Sequence, residues 1–162
     1  SATLGNFSGN LTNYTIAFFC RVNNEADGVI LDYGNSTTNQ AIGANAHATA
    51  GQSNTGGMNH YNYGNDTDFN AGATFSNWNF FVLRKVSGIK QLFVNNTQIT
   101  SLISSNPPNN STSLPSNGTL ELGRGDYDNL SNDHSMCACW ATNISDSDIT
   151  YIWNRFKGDV GL

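Results

Sequence analysis

Tyr14-Thr15-Ile16-Ala17-Phe18-Phe19-Cys20-Arg21-Val22 is the stretch on which the fold turns. Ile16, Phe18, Cys20 and Val22 recur at every second position and Thr15, Ala17, Phe19 and Arg21 fill the alternate ones, the period of a strand whose side chains leave on opposite faces. One face is strongly apolar, so the strand is expected to lie on a core. Downstream, Asn23 to Asp27 reads as a polar loop and Gly28 to Tyr33 as a short strand closed by the turn residues Gly34 and Asn35. Asn35 to Ala73 has weak apolar periodicity and predicts short strands joined by long loops. Trp78 to Val86 alternates again, with Phe80, Val82 and Arg84 against Phe81, Leu83 and Lys85. Ser87-Gly88 then turns the chain into Ile89 to Val94, and Asn95-Asn96 turns it into Thr97 to Ile103, a meander of hairpins.

Ser104 to Gly118 holds all three prolines and predicts an exposed loop, because the strand-like Thr119 to Gly123 follows at once. His134 to Ala141 predicts a last strand, with Met136, Ala138 and Trp140 on one face. Beyond it, Ser145 with Asp148 three residues later makes a capping box, and Ile149, Ile152, Trp153 and Phe156 recur at helical spacing. One short helix is expected near the end of the chain.

The order of these pieces is similar to that of laminin-G-like, concanavalin A-like jelly rolls. Tyr14 to Arg21 matches the family's early Phe-Thr-hydrophobic-x-Phe-Trp-x-Arg strand with Phe19 in place of Trp, and Phe80 to Arg84 with Leu92-Phe93-Val94-Asn95-Asn96 matches its central hairpin. Asn96 stands where the family carries Gly but tolerates the same left-handed turn. Ile144-Ser145-Asp146-Ser147-Asp148-Ile149 matches its closing segment, with Asp148 replacing Glu. The last residues, Trp153 to Gly158 through Gly161-Leu162, resemble laminin-G-like modules in phage virion structural proteins. The resemblance implies an all-β antiparallel sandwich of jelly-roll type with one short C-terminal helix, built from residues 1–162 as a single domain excised from a larger chain. It also implies glycan or receptor recognition on a cell or virion surface.

Composition narrows the function. Seven basic against twelve acidic residues, with a net charge of −5, give no footprint for a phosphate backbone and argue against nucleic acid. No apolar run approaches the roughly 20 residues that cross a bilayer, so no membrane insertion is expected. Charged residues are 12% of the chain, and its polarity comes instead from Asn, Ser, Thr and Gly, which hydrogen-bond neutral partners such as sugars. Cys20, Cys137 and Cys139 are too few for a disulfide framework, and Cys-Ala-Cys is too tight for a zinc hook. On a strand Cys137 and Cys139 share a face and pack as small hydrophobes, although a bridge from Cys20 to either stays open.

Motifs for catalysis are missing from the sequence. Glycosidases of this architecture pair carboxylates on one strand, whereas Glu25 and Glu121 have no acidic residue two or four positions away. The chain is therefore not expected to be an enzyme. Two stretches carry candidate binding chemistry. In the first, Asp126, Asp128, Asn129, Asn132 and Asp133 crowd oxygen donors of the kind calcium prefers, with Tyr127 and His134 beside them as ligand contacts. The spacing is not that of an EF-hand, and an Asx-rich turn explains the same residues. The second is His60, Tyr61, Asn62 and Tyr63 with Asp66 and Asp68, where a ring can stack on a sugar while amides and carboxylates bond its hydroxyls. The plainer explanation is that one of Tyr61 and Tyr63 points into the core and the other is an ordinary surface tyrosine. Trp78, Trp140 and Trp153 are expected in the core. Arg124-Gly125-Asp126 is read as a coincidental adhesion tripeptide, and the many Asn-x-Ser/Thr sequons as a by-product of composition or a sign of secretion. The expected partner is a cell-surface glycan or glycoprotein, with sister subunits of a virion or fibre as the alternative for a purely structural module.

Overall fold

The computed structural model describes residues 2–3, 7, 9–22, 28–34, 40–47, 56–62, 65–105, 112–114, 119–123 and 132–162. In chain order the strands are β1 (Ala2–Thr3), β2 (Gly9–Leu11), β3 (Tyr14–Val22), β4 (Gly28–Gly34), β5 (Ala41–His47), β6 (Gly57–Tyr61), β7 (Thr67–Asn70), β8 (Asn79–Val86), β9 (Ile89–Val94), β10 (Thr97–Ile99), β11 (Leu102–Ser105), β12 (Thr112–Leu114), β13 (Thr119–Leu122) and β14 (Asn132–Trp140). Helix α1 (Asp146–Phe156) and a 3₁₀ turn at Lys157–Val160 follow. Among the described residues the strands form a seven-stranded sheet (β1-β13-β4-β5-β6-β7-β11), a five-stranded sheet (β10-β9-β8-β3-β14) and a small β12-β2 pair, all antiparallel. This is the all-β sandwich with a short C-terminal helix that the alternating stretches imply.

The alternation in β3 and β8 is met on both sides. Ile16, Phe18, Cys20, Val22, Phe81 and Leu83 face the seven-stranded sheet, where Ile30, Leu31, Tyr33, Ile42, Ala44, Met58 and Phe69 complete one core. Ala17, Phe19, Phe80 and Val82 face outward, and Ile149 and Ile152 of α1 cover them in a second core. The five-stranded sheet is thus buried on both faces, which explains the near-continuous hydrophobicity of β8. Trp78, Trp140 and Trp153 pack in this helix-side layer, with Trp153 stacked at 6.1 Å from Phe19 and 6.0 Å from Phe80. The helix starts where the sequence marks it: Ser145 Oγ accepts from the Asp148 backbone N–H, and the Asp148 carboxylate accepts from the Ser145 N–H.

The hairpins carry their turn chemistry in single residues. Asn95 and Asn96 adopt φ of 48° and 68°, and Ser87 and Gly88 adopt 48° and 83°, the left-handed pairs that a two-residue turn between twisted strands demands. Asn95 Oδ1 also accepts from the Phe80 N–H at 2.9 Å, tying the turn to the next strand.

The structure departs from the sequence reading in three places. Thr97 to Ile103 is not one strand: it breaks at Thr100 and Ser101, so that β10 pairs with β9 in one sheet and β11 with β7 in the other. The proline-bearing loop contains β12, which pairs with β2, and neither strand has enough apolar periodicity to be seen in advance. The last strand begins two residues before His134, at Asn132. Cys20, Cys137 and Cys139 are all free thiols; Cys137 and Cys139 pack on the inter-sheet core beside buried Cys20. No helix among the described residues is long and apolar enough to cross a membrane.

Candidate functional site

Among the described residues the inter-sheet core covers one face of each sheet and α1 the outer face of the five-stranded sheet; the outer face of the seven-stranded sheet carries the remaining side chains of its strands. Register decides what it displays. Glu121, Asp32, Gly43 and Tyr61 stand directly opposite one another across β13, β4, β5 and β6. A second row runs Val29, Asn45, Asn59 and Asp68 across β4, β5, β6 and β7. Residues between the rows, such as Ile42, Ala44, Met58 and Phe69, belong to the core, so alternation assigns both rows to the outside.

Tyr61 is positioned by its neighbour. A Cβ on Gly43 would lie 2.0 Å from Tyr61 Cε1 and 2.6 Å from its hydroxyl oxygen, so the ring rests in the space that glycine leaves open. Tyr61 is 8% exposed and forms a floor on this face. In the other row Asn59 Nδ2 donates to Asp68 Oδ1 at 2.5 Å, which orients the amide. Asn59 Oδ1 and Asn45 Oδ1 are both buried and have no hydrogen-bond partner. Directly opposite residues in an antiparallel pair have Cβ atoms about 4.5–5.5 Å apart, so the two orphan acceptors are neighbours.

His60 and Asn62 belong to a different network. Both are fully buried between the sheets, so they do not face a ligand on the outer face. Asn62 Nδ2 donates to the Ala41 carbonyl at 2.9 Å and to the Tyr14 oxygen at 3.1 Å, and the Tyr14 hydroxyl lies 2.8 Å from His60 Nε2. The Tyr14 hydroxyl thus stands between the Asn62 amide and the His60 imidazole, within hydrogen-bond reach of both. Asp66 Oδ1 accepts from the Asn62 backbone N–H at 3.1 Å and braces the end of β6. Burial, reinforced by the Lys90 and Lys85 ammonium groups, holds His60 well below the usual imidazole range and so neutral. Lys85 is itself fully buried, donates to Thr112 Oγ1 at 2.9 Å, and is pushed down to about 8 by burial. Lys90, opposite it in the β8–β9 register, is pushed down to about 7 by burial, with the Asp66 and Asp68 carboxylates opposing and Lys85 adding to the fall.

The stretch read as a calcium loop is only partly described. Asp126, Tyr127, Asp128 and Asn129 lie outside the described residues, as does Tyr63. Asn132 and Asp133 are successive positions of β14 and leave on opposite faces, so their side chains do not converge on one ion. Asp133 accepts from Arg21 Nε at 2.8 Å, and Asn132 sits against Gly123, whose φ is +70°. His134 points toward Ile30 and Phe18, and burial lowers its proton affinity. Among the described residues no group of three His, Cys, Asp or Glu side chains has the geometry to hold a metal ion.

Sequence reasoning did not find the outer-face rows. Asp32, Asn45 and Glu121 are far apart in the chain and meet only through strand register, for which a single sequence carries no signal. It also missed that the acid sought along one strand stands across the ladder, with Asp32 opposite Glu121.

An antiparallel β-sandwich with polar side chains on the outer side of its seven-stranded sheet is thus the class that fold and site define. No family model matches the sequence, and no curated protein matches it significantly. Solved structures do match the fold. The ligand-binding domain of botulinum neurotoxin serotype D, in complex with N-acetylneuraminic acid, aligns with a TM-score of 0.62 at 12% identity, over 94% of this chain and 39% of that one. Domain 4 of AbnA, an extracellular arabinanase of family GH43 from Geobacillus stearothermophilus in complex with arabinotriose, aligns at 0.62 and 14% over 93% and 70%. A heptameric SAP-like pentraxin from Limulus polyphemus aligns at 0.62 and 13% over 90% and 71%. The chain spans about two fifths of the neurotoxin chain it matches.

Proposed function

We propose that the chain is a non-catalytic carbohydrate-binding module, with the outer face of the seven-stranded sheet as its contact surface. The observation that carries this reading is the polar row of Asn45, Asn59 and Asp68 that strand register sets side by side on the outer side of the sheet, with Tyr61 in the neighbouring row. Amide and carboxylate groups set in such a row hydrogen-bond the hydroxyls of a polyol. The fold supports the reading too, because similar structures were solved with N-acetylneuraminic acid and arabinotriose bound. Tyr63 and Tyr127 remain candidate ligand contacts in this reading, and calcium the candidate ion for Asp126, Asp128 and Asn129. The setting we infer is a surface-displayed or virion protein, such as a tail fibre, capsid decoration or adhesin, in which many copies raise a weak monovalent affinity.

The test is a glycan array probed with the purified domain multimerised on a carrier, in calcium and again in chelator. Binding that survives chelation and falls on Asn45→Ala supports the sheet face. Binding abolished by chelator moves the site to the loop around Asp126, and silence in both conditions favours a structural module that docks to sister subunits. A second reading, glycoside hydrolysis, is favoured by the Asp32–Glu121 pair. Release of reducing ends from an oligosaccharide panel, lost on Asp32→Asn, is the result that would establish it.

A further inference from the structure

Among the described residues the two large sheets end in four outer strands, and three of them are short: β1 has two residues, β10 three and β11 four. The fourth, β14, runs for nine residues from Asn132 to Trp140 at the border of the five-stranded sheet. One side of it pairs with β3, and among the described residues no strand pairs with the other side. Above and below, its side chains are packed: Cys137 and Cys139 lie against the inter-sheet core, Met136 and Trp140 against the helix-side core. Yet every residue of β14 keeps part of its surface exposed, whereas the neighbouring β3 is buried at each position except Arg21. What stays open is the third side of the strand, the row of backbone N–H and C=O groups along its edge.

Sheet edges are ordinarily blunted by shortness, by proline, by lysine or by a bulge. β14 carries one of these devices, the register shift between His134 and Met136. Beyond it, Met136-Cys137-Ala138-Cys139-Trp140 follows β3 without interruption and holds neither charge nor proline. We propose that this run pairs antiparallel with the same run of a second copy of the chain, about a two-fold axis at Ala138, and joins two five-stranded sheets into one. A second copy is the occupant because the run is complementary to itself in that register. Met136 stands opposite Trp140 of the partner subunit, a thioether against an aromatic ring. Cys137 stands opposite Cys139 of the partner subunit, small apolar groups on the other face. Residues directly opposite have Cβ atoms about 4.5–5.5 Å apart, where like charges destabilise the pair, and this run has none to place there. Asp133, the carboxylate of the strand, pairs with Arg21 at 2.8 Å on the far side of the register shift. A ladder this short is a small contact beside the about 1,200–2,000 Å² of stable interfaces, so the dimer is a weak one that forms at micromolar concentrations. It does not depend on what the outer face of the other sheet binds.

Sedimentation equilibrium of the purified chain from about 1 µM to about 500 µM tests the association, and amide hydrogen exchange at both ends of that range locates it. The expected result is a monomer that becomes a dimer as concentration rises, with exchange in the Met136–Trp140 segment slowed by about tenfold in the concentrated sample. Ala138→Lys sets two ammonium groups against each other at the two-fold axis and is expected to raise the dissociation constant by at least about tenfold. Thermal unfolding of both proteins establishes that the variant is folded. The exchange measurement needs no variant, so it decides the matter even where Ala138→Lys does not fold. A chain that stays monomeric across the whole range would overturn the proposal. So would a dimer whose slowed exchange falls on other strands, or one that a folded Ala138→Lys leaves intact.

Discussion

Replacing Gly43 by alanine is the sharpest probe of how Tyr61 is held. The added Cβ would sit 2.0 Å from Cε1, 2.3 Å from Cζ and 2.6 Å from the hydroxyl oxygen of the Tyr61 ring, against an ordinary carbon contact of about 3.5–4.0 Å. The ring must therefore shift by about 1.5 Å or leave the glycine. Overpacking of this size costs about 1–3 kcal/mol, while alanine returns about 0.4–1 kcal/mol by restricting the unfolded chain. The net expectation for Gly43→Ala is a loss of about 1–2 kcal/mol, which for a chain of this length is a fall of about 2–8 °C in melting temperature. The decisive measurement is a double-mutant cycle with Tyr61→Ala, followed by denaturant unfolding. Once the ring is gone the clash is gone, so Gly43→Ala becomes neutral or slightly stabilising, and the coupling energy is about 2 kcal/mol. Additive single effects, with Gly43→Ala equally damaging in both backgrounds, would refute the placement of Tyr61 over Gly43. In the same samples Gly43→Ala lowers glycan binding, because the floor of the face is displaced.

Three further outcomes follow from the buried polar groups. Lys90 and Lys85 have folded-state proton affinities of about 7 and about 8, below the usual lysine value, so above those values the unfolded chain binds protons that the folded chain does not. Stability is expected to rise with pH from about 7 up to the ordinary lysine value near 10.5, less steeply in Lys90→Met; a flat profile in the native protein would refute it. Lowered proton affinity at His60 adds a loss of stability as pH falls below about 6.5, read by the same melts and diminished in His60→Gln. Arg84 donates to the Ile144 carbonyl, Asp146 and Gln91 and lies 4.7 Å from the Phe93 ring centroid, so Arg84→Ala is expected to cost about 2–3 kcal/mol in denaturant unfolding and to loosen α1. Alkylation followed by mass spectrometry should find Cys20 protected in the native protein and all three cysteines modified after denaturation; a missing thiol would mean a disulfide.

How far the sequence could be read depended on whether information was local. Period two in Tyr14 to Val22 and Phe80 to Lys85, the left-handed Asn95-Asn96 turn and the Ser145–Asp148 cap are all written within a few residues, and each stands in the structure where its spacing puts it. The face of a strand was legible too, since Ile16 and Ala17 do go to opposite cores. The partner of a strand was not. Nothing in Thr97 to Ile103 announces that the chain leaves one sheet for the other at Ser101, and nothing near Asp32 points to Glu121. The His60 to Asp66 stretch shows the limit most clearly: polar residues were taken as ligand contacts by type, yet alternation along β6 sends His60 inward and Tyr61 outward. A buried polar network and the proposed contact face therefore share one short stretch of sequence, and only the strand's phase separates them.

The second core has a consequence for how the protein is made. Phe19, Phe80, Val82 and Phe93 are shielded by Ile149 and Ile152, which lie more than fifty residues beyond the last of them. A ribosome adding about 5–20 residues per second leaves that aromatic sheet surface bare for several seconds after its strands have emerged. Newly made chains are then sticky on one side until the helix arrives. A truncation before Asp146 would be expected to accumulate in inclusion bodies, with its seven-stranded sheet able to form.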